Sequence, residues 1–340
     1  MSRPARLGAA ILGCEGLVLG ADEAAFFRDF QPFGFILFGR NIDTPEQLRR
    51  LTGALRDAVG WQAPIFIDQE GGRVERMGPP HWGAWLPPLE QMATVGPEHG
   101  ARAMALRYRL IADDLRAVGI DGNCAPLADI ATTDTHPVLR NRCYGIDLAT
   151  VVSAARAVAD GLLAGGVLPV LKHIPGHGRA TMDSHKALPR VSASAEVLRG
   201  SDFAAFRALN DLPLGMSAHI VFEALSSKAA TVDPEMIALI RDEIGFDGLL
   251  MTDDISMEAL EGTVAERGAA ALAAGCDVVL HCNGELAEMQ DLAKTVGDLN
   301  ETALARADAA LARRGVPDRL IRKDAEAELG RLMEGLAAHG

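Results

Sequence analysis

The chain has 340 residues, 49% of them hydrophobic and 23% charged, and a formal net charge of −13. That is enough apolar material for one large α/β barrel or for two domains. The acidic balance argues against a nucleic-acid partner, because no basic excess exists to neutralise phosphates. No apolar run approaches the roughly 20 residues that a bilayer span requires, so no membrane segment is expected.

Short apolar runs alternate with helical patterns from end to end. The first strand candidate is "AAILG" (9–13). It follows Arg3 and Arg6 and ends at Cys14, which faintly resembles a lipoprotein cleavage signal, but the apolar stretch is short and Glu15 follows at once. It reads as a strand, and the protein is expected in the cytoplasm. "GFILFG" (34–39) comes next, then a helix signal: Thr44 as N-cap with Gln47 three residues on, Pro45 at the first helical position, Leu48, Leu51 and Leu55 as a stripe, Gly60 as the stop. "PIFID" (64–68), "GIDGNCAPLAD" (119–129), "VLPVLKH" (167–173) and "LPLGMSAHI" (212–220) continue the strand series. A second capped helix opens at Asp233 and Pro234, before "GLLMTDD" (248–254) and "CDVVLHC" (276–282). Continuous apolar runs, as opposed to strict alternation, indicate strands covered on both faces.

Eight strands, each followed by helical material, predict a single (β/α)8 TIM barrel, with no Gly-rich dinucleotide fingerprint after the first strand. The barrel should occupy about residues 8–285 of one catalytic domain spanning 1–340, with a helical extension over about 286–340 packed outside it. The cysteines at 14, 124, 143, 276 and 282 are odd in number and none lies in a C-x-x-C pair. They read as buried free thiols.

In such barrels the chemistry sits at the C-terminal ends of the strands, and the polar residues cluster there: "DQEGGRVER" after strand three, "PLAD" after four, "KHIPGHGRATMDSH" after five, "SAH" after six, "TDD" after seven. A metal centre is a poor fit. The first strand has no His-x-His pair, Ile-Pro-Gly separates His173 from His177, and although His219 and His281 could join them, soft ligands at clear zinc spacing are missing. A phosphate loop would need a glycine-rich turn and then Lys with Ser or Thr, an order absent here. Acid–base chemistry fits better. Asp183 and His185 are two apart in a loop, so the carboxylate can orient the imidazole and stabilise its charged form. A nucleophile must come from elsewhere, and the tip of strand seven offers Asp253 and Asp254. Alternation sends these two opposite ways without saying which faces the mouth, and Asp254 with Ser256 equally suits a helix cap.

Together "IDQEGGRVERM", "KHIPGHG" with "DSH", and "MTDDISM" resemble glycoside hydrolase family 3, and within it the bacterial single-domain β-N-acetylglucosaminidases of cell-wall recycling. The resemblance runs over roughly residues 8–285. It implies a TIM barrel that hydrolyses a terminal β-linked N-acetylglucosamine with retention, without metal or cofactor. By motif position Asp253 is the nucleophile, His185 the acid/base and Asp183 its partner, while Asp68, Arg76, Arg142, Lys172 and His173 match sugar-binding positions. Glu70 and Arg73 are equally readable as structural. Cys143 stands where serine is expected and Ile174 where phenylalanine is usual. The partner implied is a small molecule, an N-acetylglucosaminide or muropeptide, acted on by a monomer. Phosphorolysis on the same site, or sugar binding without catalysis, are the competing functions. The intact Asp253, Asp183 and His185 speak against the second.

Overall fold

The computed structural model describes residues 3–182 and 188–334. Its eight strands close into a parallel barrel in sequential order: β1 (Gly8–Leu12), β2 (Pro32–Leu37), β3 (Ile65–Ile67), β4 (Gly122–Asn123), β5 (Leu168–Ile174), β6 (Leu214–Ser217), β7 (Leu249–Asp254) and β8 (Val278–His281), with β8 pairing β1 through Ala10 opposite Val279. The predicted TIM barrel is the observed one. Helices cover the outside and side chains fill the inside, so the strands carry almost no polar surface. Every residue of the eight strands is buried except Asp253 and Asp254.

The helices follow their caps. In Pro45–Val59, Thr44 accepts from the Gln47 amide, Leu48, Leu51 and Leu55 are buried, and Gly60 ends the helix in the left-handed region. Asp233 caps Pro234–Ala238 as expected, but the helix then widens into a π-turn over Leu239–Glu243. A two-stranded parallel pair, Arg190–Val191 with Val221–Phe222, lies outside the barrel and has no counterpart in the sequence pattern.

The C-terminal segment governs which end of the barrel is open. Leu286–Val296 packs on Val264–Ala274 and on β1, completing the eighth β/α unit. Arg306, on the helix Glu301–Ala312, binds Asp277 just before β8, and Arg314 binds Asp121 just before β4. Asp121 and Asp277 also accept from the Ile65 and Leu250 amides. Both arginines therefore anchor at the N-terminal ends of strands. The last helix, Arg322–Glu334, packs Ala325 and Leu329 against Val95, Leu106 and Leu110 of Pro88–Ala117. The opposite, C-terminal mouth stays free for chemistry. No described helix is long and apolar enough to cross a membrane.

Candidate active site

A cavity of about 140 Å³, open to solvent, occupies this mouth. Asp68, Arg76, Arg142, Lys172, His173 and Asp253 all line it. The motifs that the sequence scatters over 186 positions are thus brought to one surface, at strand ends or in the loops that follow them.

Four of these groups, Asp68, Arg76, Arg142 and Lys172, join Glu70 in a charge network. Lys172 Nζ donates to Asp68 Oδ1 at 2.9 Å and sits 2.7 Å from Glu70 Oε1. Arg76 reaches Asp68 Oδ2 at 3.1 Å, and Arg142 grips both oxygens of Glu70 at 2.8 and 2.9 Å. Burial pushes the Asp68 and Glu70 carboxyls toward neutrality, but the surrounding cations outweigh it and lower both, Asp68 well below the usual carboxylate range. Burial likewise opposes charge on Lys172 and Arg142, and Asp68 and Glu70 overcome it, raising both. The network is therefore fully ionised and rigid, with donors left over for hydroxyl groups.

Glu70, equally readable as structural from sequence, is the hub of this network and has no exposed surface. Its carbonyl accepts from Arg107 and from the Tyr108 hydroxyl, and Arg107 also reaches Gln91 at 2.7 Å. Gly71 follows at φ +100°, and a Cβ there would run into the Arg107 guanidinium and Trp85. That explains the first glycine of "EGG" by backbone conformation and space. The spacing of Asp68 and Glu70, two apart beyond a strand, was the available signal that both face one way.

A second missed residue is Asp129 of "PLAD". It is buried, accepts from His173 Nδ1 at 2.7 Å, and accepts from the His177 amide at 2.6 Å. As an acceptor it fixes the proton on His173 Nδ1 and leaves Nε2 for the cavity. The His173 and His177 rings meet edge to face at 5.5 Å. The second glycine of "GHG", Gly178, abuts the Ile130 carbonyl closely enough that no Cβ fits.

Strand alternation would turn Lys172 away from His173 and Asp253 away from Asp254, yet all four line the cavity. The cause is a register slip in each strand. Leu171 pairs with Gly215 but Ile174 with Ser217, and Met251 pairs with Val278 but Asp254 with Leu280. Each slip sets two residues against one, the signature of a bulge, which bends the strand and re-aims its side chains. Asp254 then spends its carboxylate on Ser256 and the Cys282 amide. Among the described residues, Asp253 Oδ1 accepts only the Asp254 amide, at 2.8 Å. Burial would raise Asp253, but the imidazoles of His173 and His219, the Asp254 amide and Lys172 together lower it, keeping an anion at the cavity wall.

Asp183 and His185 lie outside the described residues. Cys143 and Ile174 are both buried, Cys143 with its thiol toward the Leu139 carbonyl. All five cysteines are free and buried, and burial raises every thiol's pKa, so none is poised for chemistry. Among the described residues no three His, Cys, Asp or Glu side chains gather in a metal-binding arrangement.

Residues 20–314 match the glycosyl hydrolase family 3 N-terminal domain. A beta-hexosaminidase of Alkalilimnicola ehrlichii is 36% identical over 285 residues, covering 82% of this chain and 81% of its own. The NagZ structure from Neisseria gonorrhoeae superposes with a TM-score of 0.84 at 27% identity, over 98% of this chain and 100% of that one. A family 3 β-N-acetylglucosaminidase from Paenibacillus sp. str. FPU-7 gives a TM-score of 0.84 at 26% identity, over 96% of this chain and 67% of that one.

Proposed function

The chain belongs to glycosyl hydrolase family 3 and is a glycoside hydrolase, and on that premise we propose that it is a retaining β-N-acetylglucosaminidase of cell-wall recycling. The observation that carries the reading is the cavity itself: an ionised Asp253 shares one wall-to-wall site with the fixed donors Lys172, Arg76, Arg142 and His173. Asp253 attacks the anomeric carbon as the glycosidic oxygen leaves with a proton from His185. The result is a covalent glycosyl–aspartate. The neutral imidazole then deprotonates water, which displaces Asp253 and restores the β configuration. Asp183 stabilises the imidazolium present before the first step and regenerated by the second. Asp68, with Arg76, Arg142, Lys172 and His173, holds the hydroxyls of the non-reducing sugar. No metal takes part, so dialysis against a chelator leaves activity intact.

The substrate proposed is an N-acetylglucosaminyl-anhydromuramyl peptide in the cytoplasm, cleaved by a monomer. A buried polar site built for particular hydroxyls rejects an analogue that inverts one by up to about 10⁴-fold. The class is tested by chromophore release from aryl β-N-acetylglucosaminide against the glucoside and the N-acetylgalactosaminide, and only the first should turn over well. The natural substrate is tested in a deletion strain. Wild-type levels of N-acetylglucosaminyl-anhydromuramyl species there would reject it, whatever the aryl activity.

A further inference from the structure

His219, at the end of β6, is fully buried and belongs to none of the roles above. Its Nε2 lies 3.1 Å from the carbonyl of Asp254 and its Nδ1 lies 2.9 Å from the Thr231 hydroxyl. A carbonyl only accepts, so Nε2 carries the proton. Burial disfavours the imidazolium and lowers the pKa of His219 despite the neighbouring Asp253. In the neutral ring Nδ1 is therefore an acceptor; the Thr231 hydroxyl supplies it, with the Ala218 carbonyl at 3.0 Å competing for the same proton, and the Thr231 oxygen in turn meets the Ser217 hydroxyl at 2.8 Å. The chain of donors runs Ser217 to Thr231 to His219 to the Asp254 carbonyl, and Ser217, His219 and Thr231 have no exposed surface.

Residue 254 is thereby held on several sides: its carbonyl by His219, its carboxylate by Ser256 and the Cys282 amide, and its own amide directed at Asp253 Oδ1. It stands where the β7 register slips, so the ladder alone does not fix it. We propose that His219 is a positioning residue that clamps the strand tip beyond Asp253 and so aims its carboxylate at the anomeric carbon. The proposal rests on Asp253 being the nucleophile. A misaimed nucleophile slows both the glycosylation and the hydrolysis step, irrespective of the leaving group, whereas loss of an acid spares activated leaving groups.

The test starts by labelling the wild type with a 5-fluoro N-acetylglucosaminyl fluoride and mapping the adduct. A label away from Asp253 rejects the nucleophile and the proposal together. With Asp253 labelled, H219Q and H219N are compared, because glutamine places an N–H near the Nε2 position and asparagine reaches only the Nδ1 position. H219N should lose roughly 10²-fold in kcat with KM little changed, equally on nitrophenyl and dinitrophenyl glycosides, and H219Q should recover at least about 10-fold of it. Equal kcat values for the two variants, or a loss confined to the nitrophenyl substrate, overturn the proposal. Should H219N not fold, T231V takes its place, since it leaves the imidazole but removes its Nδ1 partner. A drop in kcat of about 5-fold or more at constant KM then supports the clamp, and an unchanged kcat overturns it.

Discussion

Asp253 and Asp254 are neighbours of the same chemistry with different prospects, and the difference is made by what each already binds. Asp254 is committed to Ser256 and the Cys282 amide, while Asp253 accepts one backbone amide among the described residues and lines the cavity. Asp253→Ala should therefore lose about 10⁴-fold or more in turnover and Asp254→Ala on the order of 10-fold. Similar losses in the two would remove the distinction. Glu70 makes a separate point. It is the counter-charge to Arg142 and a second one to Lys172, and removing one member of a buried ionic cluster strands the others. Glu70→Gln keeps the shape but not the charge. It should cost ~3–5 kcal/mol of stability in chemical denaturation and raise KM, since Arg142 and Lys172 lose their anchor. A variant of unchanged stability and unchanged KM would make Glu70 incidental to both.

At the scale of elements, the strands were legible because both faces are covered. Each of the eight apolar runs overlaps an observed strand, and Thr44 and Asp233 cap the helices they were expected to cap. The fourth shrinks from eleven positions to Gly122–Asn123, because past Cys124 the chain meets Pro126, which has no amide to give a ladder. The bulges in β5 and β7 were not legible. A bulge is a property of two paired strands, and a single strand's sequence records only its own alternation. The same holds for Arg190–Val191 and Val221–Phe222, two residues each and too short to show a period. Asp129 escaped notice because its partner His173 lies 44 positions away. The loop after β3 was half legible, since "EGG" announces a turn but not that Arg107 packs beneath it. Gly71→Ala tests that packing. Alanine at φ +100° against Arg107 should cost roughly 1–3 kcal/mol in strain and displace Glu70, so thermal stability and affinity for substrate should fall together. Loss of stability alone would mean that the loop relaxes without disturbing the network.

Across the whole molecule, many of the ionisable groups at the mouth are buried in the charge state suited to neutral pH, which makes acid a threat to the fold as well as to catalysis. The sign differs from a simple ion-pair argument for the histidines. Burial, with the neighbouring His173 second, lowers the His177 pKa to about 4, against roughly 6.5 in an unfolded chain. Below pH ~6.5 the unfolded state takes up a proton that the folded state refuses, so stability present at neutral pH is lost as the pH falls toward about 4. The full difference corresponds to on the order of 3 kcal/mol, at ~1.4 kcal/mol per pH unit in the steep region. His219, also lowered by burial, adds to the same window. Asp68, Glu70, Asp129 and Asp253 are all depressed, so their contribution is lost as the pH falls through the unfolded carboxylate range near ~4 toward their own lower folded-state values, where the loss ends. Unfolding free energy measured by urea titration should thus fall in two overlapping stages, the first led by the histidines and the second by the carboxylates. His177→Gln isolates one group of that first stage. The variant should have a shallower dependence between pH 6.5 and 4 by close to one proton, while the steeper fall below pH ~4 stays in place. Parallel curves for the variant and the parent across that window would show that the unfolded and folded states bind the His177 proton alike, and the acid lability would have to be sought elsewhere at the mouth.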